Sequence, residues 1–420
     1  MSLRFKTAPA ASASLDASTQ GTAHDAARDR TIERTHAMDI RPYTIAIPDE
    51  ELADLRDRLA RTRWPAALTE DWARGTPVPY AQRLARYWLE GYDWRAEEAR
   101  LNRLPQFLAE VDGQPIHGLH VRSGDDGAVP LLLLHGYPSC FVEFAGIAPL
   151  LAEPGQGGAA DAATPAFHVV APSMPGFGFS TPLTSHGWDI ARTARAFDEL
   201  MQALGYDRYA VFGEDVGAGV SEQLCLDAGD RVLGSIAATD PGAIATAYTP
   251  PTDHLTDDER ERHQRLKDAR TEDFGYLALQ TTRPLSIAYG LTDSPIAQAT
   301  WIVEKFQEWT DPRADLPEDA VDLDALLTLV TVTWFGRGGD GAANLLYEAA
   351  HAQAAWGRQH DRPQGMAAFG EEPLMERILN PDGHLAFWRE HRRGGHFPAM
   401  EAPDELVGDI RAYFARLLAV

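Results

Sequence analysis

The chain has 420 residues, too many for one small module; at roughly 150 residues per domain, two or three domains or one enlarged α/β domain are expected. Its formal net charge is −24, from 38 basic and 62 acidic residues. That argues against a nucleic-acid partner, which needs clustered Lys and Arg, and against docking on an anionic membrane surface. Two cysteines, Cys140 and Cys225, make neither a disulfide framework nor a structural zinc site, and no apolar run approaches 18 residues. A reduced, cytoplasmic setting is expected.

Residues 1–38 carry Asp16, Asp25 and Asp29 and lack the apolar stretch of a signal peptide, so they are expected to be a disordered leader. Residues 39–115 read as helical. Leu52, Leu55, Leu59 and Trp64 recur at helical spacing after Pro48 and Asp49, and Leu84, Tyr87, Trp88, Leu101 and Leu104 repeat the pattern. Trp64, Trp72, Trp88 and Trp94 in this segment are expected to pack against a neighbouring domain, with an interface in a homo-oligomer as the other role open to them.

The pattern then changes. "VPLLLLHGYPS", "FHVVAPSMPGFGFS" and "YAVFGEDVGAG" are apolar runs ending in Gly-rich turns, the signature of buried parallel strands. A helical stretch, "IARTARAFDELMQALGY", lies between the second and third. This alternation predicts an α/β fold with a mostly parallel sheet over residues 116–239. Residues 240–347 break the alternation with "SPIAQATWIVEKFQEW" and "LDALLTLVTVTWF" and are expected to be an inserted helical lid. Strand-like "GMAAFG" and "HLAFWREH" and a last amphipathic helix complete the α/β core over 348–420.

Gly213-Glu214-Asp215-Val216-Gly217 has the spacing of a nucleophile elbow, in which two glycines allow a strained strand-to-helix turn that presents one side chain. Here that side chain is a carboxylate. A carboxylate attacks an electrophilic sp3 carbon and makes an alkyl ester, which water then cleaves with help from a general base and an oxyanion hole. Epoxides and alkyl halides are the electrophiles that suit it. His135-Gly136-Tyr137-Pro138 follows an earlier strand, so the backbone N–H groups of Tyr137 and Val216 are expected to form the oxyanion hole. His135 and Pro138 are expected to line the substrate side. His396, after a late strand and two glycines, is the expected base; His384 and His391 are expected at the surface. Glu214 is expected to be structural or solvent-facing. "FGRGGDGAAN" at 335–344 lacks the Lys-Ser or Lys-Thr of a phosphate loop and is expected to be a lid loop.

From about Asp39 to the end the chain resembles the α/β-hydrolase-fold epoxide hydrolases that carry an N-terminal epoxide-hydrolase domain, the microsomal-like branch. The resemblance rests on "RPYTIAIPDEELADLRDRLARTRWP", "YDWR", "IHGLHVRS", "HGYP", "PSMPGFGFS", "GEDVG", "TTRPLSIAYGLTDSPIAQATWIVEKFQEW" and "RGGHFPAMEAPDEL". It implies a cofactor-free hydrolase whose partners are a small-molecule epoxide, bulky or aromatic, and water, with a vicinal diol as product. Bacterial secondary metabolism, including enediyne antibiotic biosynthesis, is the setting it suggests. It further implies two lid tyrosines, Tyr276 and Tyr347, that hydrogen-bond the epoxide oxygen. It also implies an acid that orients His396: Glu372 fits the register best, and Glu371 stays open. A haloalkane dehalogenase shares the Asp–His–acid core and is the rival reading, although Val216 stands where a halide site would place Trp; a non-catalytic binding protein on this fold is the other.

Overall fold

The computed structural model describes residues 38–153, 155, 164–245, 251–270, 272–352 and 360–419. Apart from Met38, the expected leader lies outside the described residues. One sheet holds β1 (Ile40–Tyr43), β2 (Gln106–Val111), β3 (Gln114–Val121), β4 (Val129–Leu134), β5 (Phe167–Pro172), β6 (Tyr209–Gly213), β7 (Val232–Thr239), β8 (Gln364–Phe369) and β9 (Phe387–His391). Their spatial order is β1-β2-β3-β5-β4-β6-β7-β8-β9. β1, β2, β3 and β5 pair antiparallel, and every pairing from β5 to β9 is parallel. Leu131, Leu132, Leu133 and Leu134 of β4 are all fully buried, because a central parallel strand is covered on both faces.

Four strands, β1, β2, β3 and β7, were hidden from sequence patterning. β2 lies in the segment expected to be helical; its Phe107, Ala109 and Val111 alternate inward with period two and tie the N-terminal region to the sheet edge. β7, "VLGSIAAT", is diluted by Gly, Ser, Ala and Thr, small residues that lower its apolar signal although it is central to the sheet.

The helices of the N-terminal region are α1 (Asp49–Ala60), α2 (Val78–Glu90) and α3 (Trp94–Leu101). Next come α4 (Ala148–Ala152), α5 (Ile190–Ala203) and α6 (Val216–Asp227), which belong to the α/β core. Between β7 and β8 lie α7 (Asp257–Ala269), α8 (Gly275–Gln280), α9 (Pro284–Asp293), α10 (Pro295–Trp309), α11 (Pro317–Ala320), α12 (Leu323–Phe335) and α13 (Gly339–His351). The stretch expected as a lid loop at 335–344 is instead a tight corner between α12 and α13, turned by Arg337 at φ +53°. α14 (Leu374–Leu379), α15 (Pro398–Glu401) and α16 (Pro403–Leu418) close the chain. Among the described residues no helix is long and apolar enough to cross a membrane.

The N-terminal helices are fastened to the inserted ones. Tyr80 Oη donates to Glu318 at 2.7 Å, Tyr87 Oη to Asp324 at 2.8 Å, and Tyr92 Oη lies 2.9 Å from Thr328 Oγ1. Trp94, which is buried, packs on Phe335 with ring centroids 5.2 Å apart. Truncating this anchor removes a large buried ring, so Trp94→Ala is expected to cost about 3–5 kcal/mol of stability. Tyr92→Phe is expected to cost about 0.5–1.5 kcal/mol. Urea unfolding followed by circular dichroism measures both, and a Trp94→Ala loss no larger than that of Tyr92→Phe contradicts this packing role.

Candidate active site

The site lies beyond the carboxyl ends of the parallel strands, where an open α/β sheet leaves room for a ligand. In register, Leu134 of β4 pairs with Gly213 of β6, Gly213 with Ala237 of β7, and Phe369 of β8 with His391 of β9. The loops that follow these strands therefore emerge side by side.

Asp215 stands at φ +48°, ψ −122°, between β6 and α6. This is a strained conformation for a residue with a side chain. The turn persists because its surroundings leave no alternative. A Cβ on Gly217 would collide with the Leu134 carbonyl, and one on Gly136 with Asp215 itself. Asp215 Oδ1 accepts the Tyr137 N–H at 2.8 Å, and Oδ2 lies 3.7 Å from His396 Nε2. Val216 opens α6, where the first N–H groups have no intrahelical partner.

His396 Nδ1 is 2.6 Å from Asp240 Oδ2. Its backbone N–H donates to the Trp309 carbonyl at 2.8 Å, and the Trp309 ring meets the imidazole edge-on at 5.0 Å. The acid facing the histidine is thus Asp240, one residue past the end of β7, and not Glu372. Glu372 is buried elsewhere: it accepts two bonds of 3.0 Å from the Arg262 guanidinium and caps Leu374 N–H at 3.1 Å. Glu371 is largely exposed and lies 3.5 Å from Arg392. Asp240 also accepts Gly242 N–H at 2.6 Å. Its burial opposes ionisation, but His396, Arg270 and that N–H together hold its carboxyl below the usual range. Strand-end logic could have found it, since Asp240-Pro241-Gly242 follows β7 as Asp215 follows β6.

Other expected residues divide. Tyr276, on α8, lies flat on Tyr137 (centroids 5.4 Å apart, planes 7° apart) and tilts against Trp309 at 5.2 Å. Burial and then the charge of Asp215 raise its pKa well above the usual phenol value, so it is a proton-bearing group. The Tyr137 hydroxyl accepts the Trp301 indole N–H at 2.6 Å. Tyr347 is not brought to this cluster by any described contact; it is half-buried on α13, stacked on His351 at 4.1 Å. His135 is a structural pin rather than a substrate contact. Its Nδ1 donates to the Gly136 carbonyl at 2.8 Å, its Nε2 accepts Met174 N–H at 2.9 Å, and burial lowers its pKa to about 4. Pro138 is buried in the same loop, after a cis peptide bond.

Of the two places open to Glu214, the structure takes the interior one: it is buried at 3% exposure, not solvent-facing. The tight elbow turns it under the site, where it faces Glu143, at 1% exposure, from the short turn after the His135–Pro138 loop. His391 is half-buried: its Nε2 lies 2.6 Å from the fully buried Asp409. His384 is exposed, as its position suggested. Glu401, near His396, accepts Phe397 N–H at 2.9 Å and Asp311 N–H at 2.7 Å, and burial pushes it up to about 7. Among the described residues no group of three or more His, Cys, Asp or Glu is arranged to hold a metal ion.

The electrostatics of His396 follow. Burial disfavours the imidazolium, but the bond to Asp240 and the charges of Asp215 and Glu143 outweigh it and raise the pKa to about 9. The unfolded value is near 6.5. The charged imidazole therefore stabilises the fold fully below about pH 6.5, and that contribution fades as pH rises through 9. NMR titration of the His396 ring is expected to give a value near 9 in the intact protein and a much lower one in Asp240→Asn, where burial prevails. Equal values in both proteins would detach Asp240 from the histidine.

The surrounding chain has known counterparts. The family described as "Epoxide hydrolase N terminus" matches residues 40–144, and that described as "alpha/beta hydrolase fold" matches residues 129–293. A Stigmatella aurantiaca protein carrying an epoxide hydrolase name is 41% identical, over 90% of this chain and 86% of its own. Epoxide hydrolase 1 of Sus scrofa is 31% identical, over 90% of this chain and 89% of its own. Among solved structures, the Aspergillus niger epoxide hydrolase superposes with a TM-score of 0.77 at 30% identity, covering 91% of this chain and 97% of that one. A strained carboxylate elbow, a histidine facing it and a buried phenol thus sit on a scaffold shared along almost its whole length with these enzymes, and the chain belongs to the epoxide hydrolases.

Proposed function

We propose that this epoxide hydrolase works through an ester of Asp215. Oδ2 of Asp215 attacks an epoxide carbon, the carbon–oxygen bond of the ring breaks, and Tyr276 delivers its proton to the opening oxygen. Oδ1 stays on the Tyr137 N–H, which with that of Val216 would hold the oxyanion when water attacks the Asp215 carboxyl carbon. His396, oriented by Asp240, takes the proton of that water. Once Asp215 is esterified its negative charge is gone, so one of the influences that hold His396 protonated is lost and the ring can act as a base. The observation that carries this reading is the line Asp240–His396–Asp215, at 2.6 and 3.7 Å, with the second oxygen of Asp215 already on a backbone donor.

We further infer a bulky, aromatic epoxide of the kind secondary metabolism makes, because Tyr276, Tyr137 and Trp309 present adjoining ring faces beside the nucleophile. A dehalogenase reading gains no support: Val216 offers no side-chain donor to a halide, and the Trp301 indole N–H is committed to Tyr137. Tyr347 is the second expected phenol, and its stacking on His351 favours Tyr276 as the principal donor.

His396→Gln is expected to form an epoxide adduct on Asp215, seen by intact mass, and to fail to release it. Asp215→Asn should form none. Asp240→Asn should accumulate the same adduct, while Glu372→Gln should turn over like the wild type. An adduct that persists in Glu372→Gln and not in Asp240→Asn returns the orienting role to Glu372.

Tyr276→Phe is expected to slow ester formation ten- to a hundredfold, about 1.4–2.7 kcal/mol, with little change in ester cleavage. Tyr347→Phe should cost less. Stopped-flow tryptophan fluorescence with a styrene-oxide-type substrate separates the steps, and wild-type rates of ester formation in Tyr276→Phe would remove the phenol from the reaction.

A further inference from the structure

Beneath the nucleophile lie acceptors without donors. Glu143 and Glu214 are buried at 1% and 3% exposure and stand within hydrogen-bond reach of each other. Neither carboxyl oxygen of Glu143 makes a well-formed hydrogen bond among the described residues, although Glu214 and the Ser139 hydroxyl stand close to it, and Oε2 of Glu214 makes none either. His396 Nε2, the atom that must take a proton from water, is buried and equally unpartnered, since 3.7 Å to Asp215 is too long for a bond. The remaining groups that face this space are Asp215, Glu401 and Ser139, whose hydroxyl lies 3.5 Å from the Cys140 carbonyl.

Unsatisfied buried polar groups are rare and costly, and a buried water typically answers about three of them. Two apposed buried carboxyls repel each other when both are ionised, and a proton held between them relieves that repulsion. Burial and mutual repulsion raise both of them, Glu214 the more strongly. That proton satisfies the contact between them and leaves Glu143 with acceptor capacity on the side of His396.

We propose that the Glu143–Glu214 carboxyl pair is the site that holds the hydrolytic water, with Glu143 accepting one of its hydrogens while the other points to His396 Nε2. This rests on the ester reading above and adds the group that positions the second reactant. The step balances. The water oxygen bonds to the Asp215 carboxyl carbon, His396 Nε2 takes one water proton, the bond from that carbon to the substrate oxygen breaks, and the proton passes from His396 to the departing diol; the second water hydrogen, left on the Asp215 carboxyl, restores the proton that Tyr276 gave up in ring opening. Glu143 gains and loses nothing; it fixes the direction of attack and is a positioning residue.

Single-turnover mixing with a styrene-oxide-type epoxide, quenched for intact mass, tests it. In Glu143→Met, which fills the same space without acceptors, ester formation should stay within about threefold of wild type while ester decay slows ten- to a hundredfold. Glu143→Gln, which still offers an acceptor, should recover most of the decay rate. Decay at the wild-type rate in folded Glu143→Met, or equal losses in both steps, overturns the proposal. If His396→Gln forms no ester, the ester reading fails and this one with it; if ester forms but its decay ignores Glu143, only this one fails. Should Glu143→Met not fold, an atomic-resolution crystal structure of the wild-type enzyme decides. A water within hydrogen-bond distance of both His396 Nε2 and a Glu143 carboxyl oxygen supports the proposal, and an ordered site without that water overturns it.

Discussion

Everything at this site depends on one backbone conformation. Asp215 is held at φ +48° in a turn with no room for a side chain at Gly213 or Gly217, so its carboxylate stands clear of the sheet. The constraint acts in both directions. It needs Gly217 against the Leu134 carbonyl and Gly136 against Asp215, and it throws the neighbouring Glu214 down into the protein. The same turn that exposes one carboxylate therefore buries another directly beneath it. The buried strand β6 and the buried end of β4 (Leu131–Leu134) hold the surroundings of such a turn in place.

The second consequence is electrostatic. One imidazole sits beside the partly exposed Asp215 and among the buried acids Asp240, Glu143, Glu214 and Glu401. Such a density of acids is tolerable only if some carry protons and others are tied to donors. Asp240 is ionised against His396 and a backbone N–H, Glu401 is held by two backbone N–H groups, and burial pushes Glu143 and Glu214 toward their protonated forms. The sign of His396 then follows the state of Asp215. With Asp215 free, the ring is held charged; with Asp215 esterified, one opposing charge is gone. In the proposed mechanism this frees a basic group at the stage of the reaction that needs it.

The position of the orienting acid illustrates how strand order outranks sequence spacing. β7 lies between β6 and β8, so a residue just past its end can reach a histidine delivered by the loop after β9. Glu372, past β8, fits the expected register, yet Arg262 of α7 neutralises it with two bonds. An acid so paired has little left to offer an imidazole. The inserted helices thus do more than cover the pocket: α7 withdraws one acid, α8 brings Tyr276 over Tyr137, and α10 brings Trp309 against His396.

The sequence alone determined the parallel core, the elbow at Asp215, the loop around Tyr137 and the histidine, His396, that faces that elbow. Those features are written in short-range chemistry: apolar runs that end in glycines leave few conformations open. It also marked Tyr276, through a resemblance that spans almost the whole chain. Tertiary structure decided which acid meets His396, that Glu214 turns inward to face Glu143, that His135 is a pin between two loops, and that Tyr347 stacks on His351. Each of these depends on partners far apart in the chain, 156 residues in the case of His396 and Asp240. The reason is physical. A carboxyl group's role is set by its burial and by the donors that reach it, and both come from elements that meet only when the sheet is assembled.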